Sequence, residues 1–287
     1  MKTEPDPAKP LPVILPAVTD ELLSSWITRH ATFYGVSPLA MLRHSLPETT
    51  SLRAIDTQLT EGQGVRLAQT FRRGPGEIRA MSHAEFSQGA ERMLAARPIQ
   101  ECAVCAARNK HEKLGATITR GQLQAWRVTC SVCGSRLSAI GDRERKAAAT
   151  PFRHLWADAL RGERLLDDAA NRNARTWISP FDLVRLLFTR RDPRPIDPEK
   201  WIEKPKVLDA LVPGFDRFVA EQGIELPTAS KVSLPLALRP ALLAGVALAE
   251  RAGPEIIANL QARTIGAHHS SFRHNAEKAL SARHPGT

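Results

Sequence analysis

The sequence lacks any apolar run long enough to cross a bilayer. Its longest, Ala241 to Ala249, is nine residues, about half of the ~20 that a spanning helix needs. No apolar segment follows a basic one near its start, so the pattern of a secretory leader is missing. A soluble cytoplasmic protein is therefore expected, with no membrane association. Catalytic signatures are missing too. There is no GxxxxGK[ST] phosphate loop, no GxSxG elbow, no HExxH and no complete GxGxxG. No set of acidic residues stands out for two-metal nuclease or transposase chemistry. The adjacent Asp167 and Asp168 point in different directions on a helix and read as a solvated face. No catalytic residue is assigned, and a protein that is not an enzyme is expected.

Cysteine is equally sparse. The chain has only Cys102, Cys105, Cys130 and Cys133. These form two CxxC pairs with 24 residues between them and none elsewhere. Reduced cytosolic thiols are free to bind metal. Two intervening residues let one tight turn present both sulfurs to one ion, and two such turns supply the four thiolates of a tetrahedral zinc. Gly134 follows the second pair, where such a knuckle benefits from a permissive φ. Four thiolates leave no open coordination position, so one structural Zn²⁺ is expected. His111 lies between the pairs and is the alternative fourth ligand. His268, His269 and His274 have no matching cysteine or carboxylate cluster and read as a solvent-facing group.

What the chain does have is positive charge. Lys and Arg number 40 against 30 Asp and Glu, a net +10. Residues 66–146 alone carry 15 basic and 7 acidic side chains, +8 of that total. A phosphate-binding face concentrates charge in this way, whereas a merely solvated surface spreads it. The hydrophobic fraction of 43% and the charged fraction of 24% are those of a folded chain rather than a disordered one.

The pattern along the chain predicts a mainly α fold with a small β-hairpin zinc ribbon. Residues 1–18 hold five prolines and read as an extended, weakly ordered lead-in. Residues 19–97 read as a helical, helix-turn-helix-like region, and 98–140 as the zinc ribbon. Thr19 is placed as the N-cap of the first helix, with Asp20 and Glu21 in its first turn. Leu22, Leu23, Trp26, Ile27 and His30 form its apolar stripe. Gly35 ends it, and Ser37-Pro38 starts a second helix. A hairpin is expected at Ala116–Thr119 and Leu123–Thr129. Residues 141–192 read as helical, with Phe152, Leu155, Trp156 and Leu160 on one face and a helix begun by Ser179-Pro180. Residues 193–213 read as a Pro-rich linker and 214–287 as a C-terminal helical region. Its surest helix runs from about Pro240 to Ala252 and stops near Gly253.

Residues 64–82 carry a spacing with meaning. In a helix-turn-helix a small residue lies where the helices touch, a turn residue follows four later, and an aliphatic one six after that. Ala68, Arg72 and Ile78 stand at those positions, with Leu67, Phe71 and Met81 in the adjoining apolar slots. The turn position favours Gly because it asks for positive φ. Gly74-Pro75-Gly76 is therefore the alternative place for the turn. Arg72, Arg73 and Arg79 then flank the second helix, where phosphates or base edges are reached. Arg120, Arg127 and Arg136 around the zinc ribbon complete the candidate nucleic-acid contacts.

The run Asp20-Glu21-Leu22-Leu23-Ser24-Ser25-Trp26-Ile27-Thr28-Arg29 resembles the opening signature of the TniQ family. Gly35-Val36-Ser37 fits the turn that follows it. Leu67-Ala68 with Glu77-Ile78-Arg79-Ala80-Met81 resembles the family's second helical pair. Cys102 and Cys105, then Trp126-Arg127, then Cys130 and Cys133 resemble its zinc ribbon. The likeness covers roughly residues 12–140, in the family's order. Cys133 stands where many members have His, and Arg72 where Gly is usual. The resemblance implies a DNA-transposition accessory protein that helps choose the insertion site. Its implied partners are double-stranded DNA and an ATPase regulator of a separate transposase, with a guide-RNA complex or a second copy of the chain as further candidates. The reading from another class is a zinc-stabilised scaffold for protein or ribonucleoprotein, or a transcription regulator, with no role in transposition.

Overall fold

A computed structural model describes residues 9–112, 117–140, 152–191, 205–224, 234–264 and 266–281. In chain order the helices are α1 (Leu23–Tyr34), α2 (Pro38–Ser45), α3 (Leu52–Thr57), α4 (Glu61–Phe71), α5 (Pro75–Ala80), α6 (Gln88–Glu91) and α7 (Ala103–His111). They continue with α8 (Trp156–Ala170), α9 (Pro180–Leu187), α10 (Phe215–Glu221), α11 (Arg239–Ala252), α12 (Ile256–Gln261) and α13 (Gly266–Ser281). Two short strands, β1 (Gln100–Glu101) and β2 (Ser138–Ala139), make one small sheet. The fold is thus mainly helical, as expected. No helix among the described residues is long and apolar enough to cross a membrane.

The chain divides into two compact units whose segments interleave. The first comprises residues 1–86, 96–124 and 129–137; the second comprises 87–95, 125–128 and 138–287.

In the first unit α1 to α5 close around one apolar core. Leu23, Trp26 and Ile27 of α1, Leu42 of α2, Ile55 of α3, Leu67 and Phe71 of α4, and Ile78 of α5 are all fully or almost fully buried. The α1 stripe lies where its period predicts. His30, fully buried, closes it. Leu15 N–H donates to His30 Nε2 at 2.9 Å, which leaves Nδ1 as the protonated nitrogen donating to the Trp26 carbonyl. Burial lowers its pKa, so it stays neutral.

The start of α1 corrects the sequence expectation. The helix begins at Leu23 rather than at Thr19 or Asp20. Asp20 takes a left-handed conformation, φ 60°. Glu21 is 1% exposed and bonds Ser25 Oγ, Val18 N–H and Arg29. Local rules place both carboxylates in the first turn of the helix, but Glu21 is held instead by Val18 before the helix and by Ser25 and Arg29 within it. Residues 9–18 of the lead-in are extended yet docked. Leu11 is buried, its N–H donates to the Thr70 carbonyl, and Val13 exchanges backbone bonds with the Tyr34 hydroxyl. Residues 1–8 lie outside the described residues.

The boundaries that rest on local chemistry hold. Gly35 closes α1 at φ 67°, and the Ser37 side chain accepts from Ala40 N–H to open α2 with Pro38 next to it. Thr60 and Gln63 form a capping box on α4.

In the second unit α11 lies along α8. Residues 239–247 of α11 are all buried. A Cβ at Gly162 of α8 would overlap the Leu243 carbonyl, so only glycine permits this approach. The predicted helix from Pro240 to Ala252 corresponds to α11, which begins one residue earlier and stops at Gly253. The linker expectation for 193–213 meets a different arrangement where it is described. Val207 and Leu208 are fully buried, and Arg191 pairs with Asp209 and Asp216. Prolines there punctuate packed chain; residues 192–204 lie outside the described residues.

Between the cysteine pairs the expected hairpin is absent among the described residues. Arg120–Gln122 forms a 3-10 turn closed by Thr119 and Gln122 side chains. Thr119 makes only an isolated bridge to Glu21. Ala116 lies outside the described residues. The strands of the small sheet instead flank the two pairs, at 100–101 and 138–139. The segment is too rich in capping and turn residues, Thr119, Gly121 and Gln122, to hold a ladder.

Candidate metal centre and arginine surface

The two CxxC motifs are built differently. Cys102 is the N-cap of α7 and Cys105 lies in its first turn, so one helical turn presents both sulfurs. The second motif is a tight turn. Gly134 N–H donates to the Cys130 carbonyl, Cys130 N–H to the Ser135 carbonyl, and Gly134 adopts φ 71°. Val132 N–H points at Cys130 Sγ, 3.4 Å away.

All four Sγ atoms fall within 4.8 Å of one another. Cys102–Cys133 is 3.5 Å, Cys105–Cys133 3.6 Å and Cys105–Cys130 3.7 Å. Metal–sulfur bonds of ~2.3 Å in a tetrahedron give sulfur–sulfur edges of about 3.8 Å. The spacing fits one ion, and it far exceeds the ~2.05 Å of a disulfide. Burial raises the Cys102 and Cys105 thiols, and neighbouring thiols add to it at Cys105. Bonds from Ser135 hold Cys133 down to about 6. Arg108 reaches Cys105 Sγ at 3.9 Å, a cation beside a sulfur that a metal turns to thiolate. Val132 and Leu137 pack against Cys102, Cys105 and Cys130, whereas Cys133 is exposed. His111 is exposed at the end of α7 and is not part of the cluster, so the group that could hold an ion is the four cysteines.

The module is tied to α1. Asp20 accepts from Ser131 Oγ (2.6 Å), Arg120 Nε (2.9 Å) and Gly121 N–H (3.3 Å). Leu22 N–H donates to the Ile118 carbonyl, and Ile118 N–H to Ser25 Oγ. Nothing in sequence spacing announces Asp20 as the hub. The only signal is an acidic residue beside a second one, Glu21, that would serve a helix start equally well.

The six candidate arginines fall into two groups. Arg72 caps α4 at φ 49°, ψ 47°, so the turn sits at Arg72 itself and not at Gly74-Pro75-Gly76. Gly74 instead caps α5, with Glu77 Oε2 accepting from its N–H. Arg72 and Arg73 are exposed; among the described residues Arg73 forms a single, 3.9 Å ion pair, with Glu77. Arg79 lies over Gly64 and pairs with Glu85 at 3.0 Å. Arg136 is exposed on the cysteine module. Arg120 and Arg127 are engaged differently. Arg120 pairs with Asp20. Arg127, 13% exposed, is held by Glu163 and Asp167, and its carbonyl accepts from the buried Arg239. Asp167 also accepts from Trp126 Nε1 at 2.8 Å. It is an anchor for the Trp126-Arg127 pair rather than part of a solvated face.

The sequence model of the TniQ family matches residues 12–160, just over half of the chain. No curated protein and no solved structure matches.

Proposed function

Since the chain belongs to the TniQ family and is thereby associated with DNA transposition, we propose that it is a zinc-containing, duplex-DNA-binding adaptor. In this reading it selects or bridges the target site to an ATPase regulator and a separate transposase, and works in the cytoplasm. One structural Zn²⁺ is held by Cys102, Cys105, Cys130 and Cys133. It supplies folding free energy to a segment with little apolar surface of its own. It leaves no coordination position for substrate, and the chain's own task is binding.

The observation that carries the reading is the pairing of a four-sulfur cluster with exposed Arg72 and Arg73 at the α4–α5 turn, in a stretch that holds +8 of the net +10. Arg72, Arg73, Arg79 and Arg136 are the phosphate contacts in this account. Arg120 and Arg127 shape the surface through their carboxylate partners. A guide-RNA complex or a second copy of the chain can share the work of targeting.

Charge reversal separates this from a protein-docking scaffold. Arg73→Glu with Arg79→Glu should lower affinity for a fluorescent duplex at least tenfold while leaving the circular dichroism spectrum intact. Unchanged duplex affinity in the folded variant would transfer the reading to the scaffold.

A further inference from the structure

The second unit holds a cavity of about 230 Å³ lined by α6, α9 and α13. Its floor exists because α6 approaches α9 at a glycine. A Cβ on Gly89 would lie 2.7 Å from Phe181 Cβ. Three cations border it: Arg92, Arg185 and Lys278. One carboxylate, Asp182, opposes them, 3.5 Å from the Arg185 guanidinium. Arg185 Nε is buried with no hydrogen-bond acceptor among the described residues. Such donors are normally satisfied. Arg92 and Lys278 have no carboxylate partner among the described residues and extend to solvent at the rim. The hydroxyls of Ser87 and Ser179 add donors, and Met93 and Phe181 supply an apolar wall.

We propose that this cavity binds a small phosphomonoester. Three cations less one carboxylate leave +2, which matches a phosphate monoester of −1.5 to −2 at neutral pH; a monocarboxylate would leave it half neutralised, and a dicarboxylate divides its charge between two separated groups. Arginine forks suit phosphate oxygens. The wall gives the esterified organic group a surface to lie on. The volume is below the range typical of drug-sized ligands, which limits the occupant to a small molecule. This site is separate in sequence and chemistry from Arg72 and Arg73 and does not depend on duplex binding.

Isothermal titration of the full chain with a nucleoside 5′-monophosphate, inorganic phosphate and succinate tests it. Saturable binding of either phosphate probe is expected, with succinate at least tenfold weaker. Tighter binding of the nucleotide assigns the organic group to the wall; equal binding makes free phosphate the source. Arg92→Gln with Lys278→Gln changes only exposed side chains and should weaken binding at least tenfold. Arg73→Glu with Arg79→Glu should leave it unchanged. Absence of saturable binding at millimolar probe, equal binding of succinate, or indifference to the Arg92/Lys278 pair would overturn the proposal.

Discussion

Ser131 Oγ donates a 2.6 Å hydrogen bond to Asp20 Oδ2 across 111 positions of sequence. Ser131 lies inside the second CxxC motif, and Asp20 lies three residues before α1. The same carboxylate binds Arg120. One side chain therefore couples the cysteine module to the helical core of the first unit. Asp20→Ala should cost about 1.5–3 kcal/mol, the range for hydrogen bonds to a charged group. Ser131→Ala should cost about 1 kcal/mol. Urea denaturation of both variants and their double gives the check. Because both variants remove the same hydrogen bond, the double should be less destabilised than the sum; strict additivity would mean no coupling.

The metal centre predicts stoichiometry and dependence. Elemental analysis should find one zinc per chain. Any of Cys102→Ser, Cys105→Ser or Cys130→Ser should abolish it, whereas Cys133→His should retain it, because imidazole also suits tetrahedral zinc. Chelation should then lower the melting temperature of the wild type, and protein that is metal-free yet equally stable would contradict the role.

Arg72 holds a left-handed conformation that costs a Cβ-bearing residue roughly 1 kcal/mol. Arg72→Gly should therefore leave stability equal or raise it by up to about 1 kcal/mol. It should also weaken duplex binding and make the salt slope shallower by about one unit, the share of a single neutralised phosphate. Thermal denaturation and fluorescence anisotropy separate the two effects. Loss of stability together with affinity would mean that the arginine serves the fold.

Acid stability should depend on His83. It is fully buried, neither ring nitrogen has a hydrogen-bond partner among the described residues, and burial lowers its pKa from 6.5 to about 3. Between those values the unfolded chain binds a proton that the folded one refuses. Its contribution is present above pH 6.5 and is lost as the pH falls towards 3. Asp56 and Asp216, raised by burial from 3.8 to about 6, act with the opposite sign. Their contribution is present below pH 3.8 and lost as the pH rises through about 6. His83→Leu should flatten the loss of stability between about pH 6.5 and 4. At about pH 7 it should be neutral or stabilising by about 1 kcal/mol, since it removes two unsatisfied polar atoms. An unchanged pH profile would refute this assignment.

Gly162→Ala should be among the most damaging small substitutions. The added methyl meets the Leu243 backbone of α11, which cannot yield without moving the helix. A loss of about 1–3 kcal/mol or more is expected for overpacking of this kind, measured by chemical denaturation. A loss below about 0.5 kcal/mol, the range of an ordinary surface substitution, would show that α8 and α11 are not so closely apposed.

What can be read from sequence follows the range of the physics. The cysteine pairs are legible because four sulfurs that converge on one point are presented by two short, equal spacings. The ends of α1 and α11 at Gly35 and Gly253, and the start of α2 at Ser37-Pro38, follow capping rules that act within one turn. Where partners are distant, local rules fail. Asp20 looks like a first-turn carboxylate but answers to Arg120 and Ser131, 100 and 111 positions away. Asp167 looks solvated, yet its partners Trp126 and Arg127 lie some forty positions away. The lead-in looks loose because its anchors are backbone groups, which composition does not display. Arg72 departs from the glycine preference, and the fold bears the strain instead of shifting the turn.

The most direct test is duplex-DNA affinity of the zinc-loaded protein measured across ionic strength. A contact through Arg72, Arg73, Arg79 and Arg136 predicts log K falling linearly with log salt, with a slope near −0.9 for each phosphate neutralised, so between about −2 and −4. A flat dependence, or no measurable binding at low salt, would contradict the account.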